Sequence, residues 1–282
     1  MPGEINKVLI LGSSGQVGGH LVKFCEEKGV AVFEYDLARN VKEDLREFSP
    51  GLIQLIKEVD FVFFLAFDVG GSRYLEKYQQ TYEFIDNNMR IMINTFDALK
   101  ETKKPFIFAS SQMSNMTHSP YGVLKLLGEN LTKTLGGLTV HFWNVYGFER
   151  DENKSHVVTD FITMALKSGE IIMRTNGTEE RDFLYANDAC RALLILACEF
   201  ERVSKEEKLH IARFKWTNIR EVAEVIASKT NSKVTPSLNV DSIQNSTRNE
   251  PDKNILKYWE PEIELQDGID IMIEIIESNS RA

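Results

Sequence analysis

The 282-residue chain is long enough to bury one large core or two small ones, and 43% hydrophobic with 27% charged residues is an ordinary globular composition. A formal charge of −9 excludes a general nucleic-acid binder, which needs a basic footprint, but not a phosphorylated small ligand held by a few local arginines. No basic-then-apolar signal segment opens the chain, and its longest apolar runs, residues 61–67 and 192–198, are too short to span a bilayer. The three cysteines, Cys25, Cys190 and Cys198, show no metal-ligand spacing, and no His/Asp/Glu group does either; an odd count suits a reducing cytoplasm and buried core thiols.

Apolar β-type runs alternate with longer segments of helical period. Residues 8–11 read as a strand, 16–28 as a helix, 30–35 and 61–66 as strands, and 73–100 as one long helix. A strand at 105–109, a helix at 121–134 and a strand at 139–143 follow. Strands apolar on both faces, alternating with helices, predict a parallel sheet covered on both sides. Beyond Asn144 the rhythm loosens into short strands, with helices at 187–200 and 217–228, a strand at 208–212 and a last amphipathic helix from about Gln266. The expected fold is α/β: a doubly wound parallel Rossmann sheet from residues 1–143 and 184–212, with a smaller mixed α/β substrate lobe from 144–183 and 213–282. A ligand belongs between them, outside the carboxyl ends of the strands.

The first strand runs into Gly12, Gly15 and Gly18 at triplet spacing, with Gln16 and Val17 between the last two. Glycine permits the sharp turn and the close backbone approach that a pyrophosphate requires, and the following helix offers free N–H groups and a favourable dipole. The spacing alone is weak; its position directly after a buried-type strand decides it. Asp36, 18 residues beyond Gly18 at the end of the next strand, stands where an acid would accept hydrogen bonds from an adenosine ribose and repel a 2′-phosphate. NAD is therefore expected, with Arg39 read as a solvated loop charge. Asp44 and Leu45 suit an adenine contact, or equally a polar helix start.

Tyr121 and Lys125 stand at i and i+4, one helical turn apart on one face, just after a strand that ends in Ser110 and Ser111. A tyrosine with an ordinary pKa near 10 is a poor base at neutral pH, but a neighbouring ammonium favours the phenolate. Such a phenolate can take the proton of a sugar hydroxyl while a serine hydroxyl holds the oxygen.

With these residues in view, the chain resembles, over nearly its whole length, an extended short-chain dehydrogenase/reductase of the NAD-dependent nucleotide-sugar epimerase/dehydratase type. Phe64, Leu65 and Ala66 resemble the strand-end H-L-A segment, Asn88 the helix asparagine, and residues 144–147 the N-V-Y-G turn. Ser111, Tyr121 and Lys125 match the catalytic serine, tyrosine and lysine. Residues 177–183 resemble the segment whose arginine, here Arg181, grips the diphosphate, and Arg248 falls where a second phosphate-binding arginine is expected. The resemblance implies an enzyme that binds NAD through Gly12, Gly15, Gln16, Val17, Gly18, Asp36, Asp44, Leu45, Leu65, Ala66, Tyr121 and Lys125. It implies substrate contacts at Asn88, Gln112, Asn144, His156, Arg181 and Arg248. It further implies a homodimer through the helices at 73–100 and 121–134, and a cytoplasmic role in making cell-surface polysaccharide precursors.

Departures from the pattern narrow the reaction. The 4,6-dehydratases place Asp-Glu after the catalytic hydroxyl residue, whereas Gln112 and Met113 follow Ser111 and cannot do that acid–base work. His141 stands where arginine is common, and residues 210–214 replace a glycine-rich N-x-G-x-G. His156 opens a helix and reads as a substrate contact or a cap; His118, three residues before Tyr121, reads as a site residue or a solvated loop histidine. Met113 and Met116 read as pocket packing. The reaction expected is redox at C-4 of a nucleotide-linked hexose or heptose, by a 4-epimerase or a 4-dehydrogenase/ketoreductase. The alternatives are a 4,6-dehydratase, an NADPH-dependent 4-ketosugar reductase, or a dinucleotide-sensing regulator without catalysis.

Overall fold

Alternate side chains of β1 (Lys7–Leu11) enter two different cores: Val8 and Ile10 on one face, Leu9 and Leu11 on the other, all four with no exposed surface. That period of two, apolar on both faces, requires helices on each side of the sheet. A computed structural model describes residues 5–240 and 250–280 and shows this arrangement. After β1 come α1 (Gln16–Glu27), β2 (Ala31–Tyr35), α2 (Pro50–Glu58), β3 (Phe61–Phe64), α3 (Ser72–Tyr78), α4 (Tyr82–Thr102), β4 (Phe106–Ser111), α5 (Pro120–Thr134) and β5 (Leu138–Phe142). The lobe elements follow: β6 (Asn144–Tyr146), α6 (Val157–Ser168), β7 (Glu170–Ile172) and β8 (Glu180–Tyr185). Then come α7 (Ala186–Cys198), β9 (Leu209–Ile211), β10 (Trp216–Asn218), α8 (Ile219–Thr230), β11 (Lys233–Thr235) and α9 (Leu265–Ser280).

Among the described residues, six strands form one parallel sheet in the order β2-β1-β3-β4-β5-β9. β3 and β4 repeat the alternation of β1: Phe61, Phe63 and Ile107 enter the core beneath α1 and α7, while Val62, Phe64, Phe106 and Phe108 enter the core beneath α2, α4 and α5. The order reverses between β1 and β3, so a crevice opens beyond their carboxyl ends. A third core, around Tyr146, Phe161, Ile162, Val222 and Ile269, fills the lobe. There β8 joins β6 in parallel and β10 antiparallel, and β7 pairs with β11. Ile255 and Trp259, expected in the lobe, instead pack into the core beneath α7.

Two features differ from the sequence reading. The helix expected over residues 73–100 is two helices. Thr81 caps α4 by accepting from the Phe84 N–H at 3.2 Å while its hydroxyl donates to the Tyr78 carbonyl at 2.8 Å, so the chain leaves the helix and restarts it. Apolar periodicity runs through the break because both segments pack on the same side of the sheet. α2 was not read from the sequence; Ser49 caps it and Pro50 occupies its first turn.

Asp182 of β8 ties the lobe to the turn after β9. Its fully buried carboxylate accepts the N–H groups of Arg213 at 2.6 Å and Lys215 at 3.0 Å, holding Phe214 between them at φ 61°. Without that clamp two N–H groups lose their acceptor and a left-handed phenylalanine loses its restraint. Asp182→Ala is expected to cost about 1–3 kcal/mol, read as a lower urea midpoint at an unchanged slope.

Candidate active site

The candidate phosphate cradle forms because β1 stops where the chain must turn back on itself. Gly12 adopts φ +86°, and a Cβ there would lie 2.7 Å from the backbone of Ala66 at the end of β3. A Cβ on Gly18 would stand 2.0 Å from the Gly12 carbonyl oxygen, so only glycine lets α1 start this close to β1. Gly15 caps α1 with no side-chain partner, which leaves the first N–H groups of the helix for a ligand. The Gln16 side-chain amide adds a buried nitrogen without a hydrogen-bond partner. Asp36 accepts the Ser14 N–H at 2.9 Å and the Ala38 N–H at 2.8 Å, and its own N–H donates to Glu43. Arg39 turns away to pair with Glu34. Two carboxylates, Asp36 and Glu43, thus line the cleft where the second strand ends. Asp44 is held by Arg46, whose hydrogen bond keeps its carboxyl below the usual range.

Ser111, Tyr121 and Lys125 converge on the same cleft, a cavity of about 1710 Å³ that also receives Leu65, Ala66, Gln112, Asn144, His156 and Arg181. Ser119 caps α5 by accepting the Gly122 N–H, and Pro120 sits in its first turn. A Cβ on Gly122 would meet the Met113 carbonyl at 2.2 Å, so glycine lets the helix seat against the 3-10 turn Gln112–Asn115 that follows Ser111. Tyr121 and Lys125 are buried on that face. Burial pushes the Tyr121 phenol up to about 12, against the opposing effect of a hydrogen bond with Ser111. Burial pushes Lys125 down to about 7, partly opposed by the Glu129 charge. The Lys125 ammonium donates to the Ala109 carbonyl at 2.7 Å and lies 3.7 Å from the centre of the Phe67 ring.

At the far end of the cleft Gln112 donates to Asn144 at 3.3 Å, and Arg181 lines the wall with one guanidinium N–H on the Glu180 carbonyl. His156 is the N-cap of α6 by backbone position, but its ring makes no cap bond. Its Nδ1 lies 2.6 Å from Glu149, which also accepts the His156 backbone N–H at 2.8 Å. Burial works against the imidazolium, yet the Glu149 charge prevails and the His156 pKa is raised. Asp68, 2.9 Å from Lys154, also accepts from Tyr74 and Asn87, and Arg73 pairs with Asp160.

Asn88 does not reach the cleft. It is fully buried, its amide donating to the Phe84 and Asp68 carbonyls and accepting the Asp68 N–H, so it shapes the loop after β3 from behind. Arg248 lies outside the described residues. Glu43, Asp68, Glu149 and Lys154 were not found from sequence, because loops with no periodic pattern bring them to the cleft. Glu129 could have been: it continues the i, i+4 face of Tyr121 and Lys125.

The sequence model of the NAD-dependent epimerase/dehydratase family matches residues 8–212. The chain belongs to this family. Among curated relatives, a UDP-N-acetyl-alpha-D-glucosaminuronate decarboxylase of Bacillus cytotoxicus is 27% identical over 80% of this chain and 81% of its own. A putative UDP-glucose 4-epimerase of Methanocaldococcus jannaschii is 24% identical over 97% of this chain and 99% of its own. Epimerase Mth375 of Methanothermobacter thermautotrophicus shares the fold at a TM-score of 0.83 and 19% identity, over 99% of this chain and 94% of that one. Like the rest of the NAD-dependent epimerase/dehydratase family, this protein is an enzyme and its cofactor is NAD. The cradle fits that cofactor: it leaves a buried amide of Gln16 and the first N–H groups of α1 for phosphate, and two carboxylates where a ribose would lie.

The displaced Lys125 has a consequence for stability. Its folded pKa of about 7 lies below the ordinary lysine value of 10.5, so between these values the unfolded chain binds the extra proton and stability rises with pH. The penalty is fully present below pH 7 and gone above about pH 10.5. Lys125→Met is therefore expected to be more stable than the native enzyme at pH 6.5, on the order of 3 kcal/mol, with the gap closing by pH 10. Urea unfolding across that range checks it.

Proposed function

We propose that the enzyme carries out redox chemistry at C-4 of a nucleotide-linked hexose or heptose, as a 4-epimerase or a 4-dehydrogenase/ketoreductase. The observation that carries this reading is the convergence of Ser111, Tyr121 and Lys125 on one cleft with the phosphate cradle. Bound NAD would supply a reversible hydride acceptor for the sugar carbon. The Tyr121 phenolate takes the proton of the C-4 hydroxyl, and the Ser111 hydroxyl holds that oxygen. Lys125 favours the phenolate by its charge. Arg181 and Arg248 grip the diphosphate through charge-assisted hydrogen bonds, Gln112, Asn144 and His156 face the sugar, and Asp36 selects NAD over NADP.

A ketone at C-4 suits the chemistries named for relatives. It erases the C-4 stereocentre, which an epimerase needs, and it stands β to a C-6 carboxylate, which lets a uronate lose carbon dioxide. It also acidifies C-5 for elimination. A 4,6-dehydratase reading draws support from His156, whose Glu149 partner leaves its other nitrogen free for proton transfer in the cleft. Against it stand Gln112 and Met113, which carry no acid after Ser111. NMR analysis of products from a panel of nucleotide sugars separates these readings. Conversion of hydroxyl to ketone, or inversion at C-4, is expected; a 4-keto-6-deoxy product rejects the reading. Tyr121→Phe should lose orders of magnitude in rate at nearly unchanged NAD affinity, because the missing group acts on the reacting proton.

The assembly we propose is a homodimer through α4 and α5, in a reducing cytoplasm that suits the three free cysteines. Of the apolar residues on α4, Met92 and Phe96 face the core, whereas Met89 and Ile93 are exposed beside Val123, Leu126 and Leu127 of α5. Exposed apolar side chains clustered on two adjacent helices suit a partner surface. Light scattering at micromolar concentration should give twice the 32.2 kDa chain mass; a monomer mass rejects the dimer.

A further inference from the structure

One turn beyond Lys125, on the same face of α5, stands Glu129, which is not among the residues lining the cleft. Ser110, the neighbour of Ser111 on β4, donates its hydroxyl to the Glu129 carboxylate, and His141 Nε2 of β5 lies 3.1 Å from it. Burial works to raise the Glu129 pKa, but the hydrogen bond and charge of His141, with hydrogen bonds from Ser110 and Ser114, outweigh it, and the carboxylate stays ionised. His141 stacks on His210 of β9 with ring centres 4.7 Å apart. His210 Nδ1 accepts N–H groups from Trp143 and Asp252, both at 3.2 Å, so it carries no proton and offers nothing further. Burial and the neighbouring His141 and Lys208 push His210 down to about 4, although Asp252 and Glu129 oppose this. His141 Nδ1 is buried with no partner. The hydrogen bond that His141 gives to Glu129 therefore comes from Nε2. An arginine in place of His141 would set a permanent cation against the carboxylate.

We propose that Glu129 is a positioning residue of the catalytic site: its carboxylate, anchored by Ser110 and His141, places a negative charge one turn from the buried Lys125 and so favours the ammonium there. The charged and titratable groups around it are Lys125 on its own helix, His141 on β5 and His210 on β9, the last flanked by Asp252 and Lys208. The proposal rests on Lys125 as the residue that favours the tyrosinate, and not on the identity of the sugar.

The test is the titration of Lys125, followed by NMR of protein selectively labelled with ¹³C at lysine Cε, free and saturated with NAD, with the resonance assigned through Lys125→Met. In the native free protein the midpoint is expected at about 7. Glu129→Gln should lower it by about one unit or more, since a nearby opposite charge is removed at constant shape. His141→Arg, which sets a permanent cation against Glu129, should titrate lower than His141→Gln, which sets none. Far-UV circular dichroism and NAD affinity report whether each variant is folded; if Glu129→Gln is not, the contrast between His141→Arg and His141→Gln decides. An unchanged midpoint in Glu129→Gln, or equal midpoints in His141→Arg and His141→Gln, overturns the proposal, as does weakened NAD binding in Glu129→Gln with Lys125 titrating normally, which would make Glu129 a packing residue. No substrate enters this measurement, so it stands apart from the product analysis that tests the C-4 reading.

Discussion

The close approach of α1 to the ends of β1 and β3 is the constraint on which the rest depends. Gly18 rests against the Gly12 carbonyl and Gly12 against the backbone of Ala66, at distances that no side chain fits between. Because of that contact the N-terminus of α1 opens directly at the point where the strand order reverses. The free N–H groups, the Gln16 amide and the carboxylates beyond β2 then share one crevice with the carboxyl ends of β3 and β4. A wider separation would move the phosphate site away from Ser111 and Tyr121 and divide the cleft.

Against that cradle the protein holds a lysine that its surroundings disfavour. Lys125 is almost fully buried, and burial displaces it to about 7; what stabilises its charge is the Ala109 carbonyl, the face of Phe67 and the field of Glu129. A hydrophobic residue would pack there at lower cost, so the cation is a feature of chemistry and not of stability. Tyr121 shows the opposite displacement from the same cause, since burial disfavours the phenolate as it disfavours the ammonium. The two groups lie one turn apart, the Lys125 Nζ 5.8 Å from the centre of the Tyr121 ring.

The lobe works differently from the sheet. Its wall of the cleft is made of loops joined by ion pairs and hydrogen bonds: Lys154 with Asp68, Arg73 with Asp160, His156 with Glu149. These contacts bring the segment after β6 against the segment after β3, where Gly71 donates its N–H to the Lys154 carbonyl. Partly exposed pairs of this kind contribute little to global stability, so the wall is the part of the fold best able to vary with the substrate.

Much of this was legible from the chain alone, and for a local reason. The two-residue period of β1, β3 and β4 requires a sheet covered on both faces, the glycine triplet directly after a buried strand points to a turn and a close approach, and Tyr121 and Lys125 share a helix face by spacing. All of these depend on neighbours within a few residues. Tertiary structure decided what depends on distant partners. The break at Thr81 is set by a capping hydroxyl inside a continuous apolar pattern. Asn88 is directed to the loop after β3 and away from the cleft, and Glu149 reaches His156 only because β6 and α6 bring a patternless loop back on itself. The pair behind Glu129 is likewise tertiary: His141 and His210 stand 69 positions apart in the sequence and stack only because β5 and β9 are neighbours in the sheet.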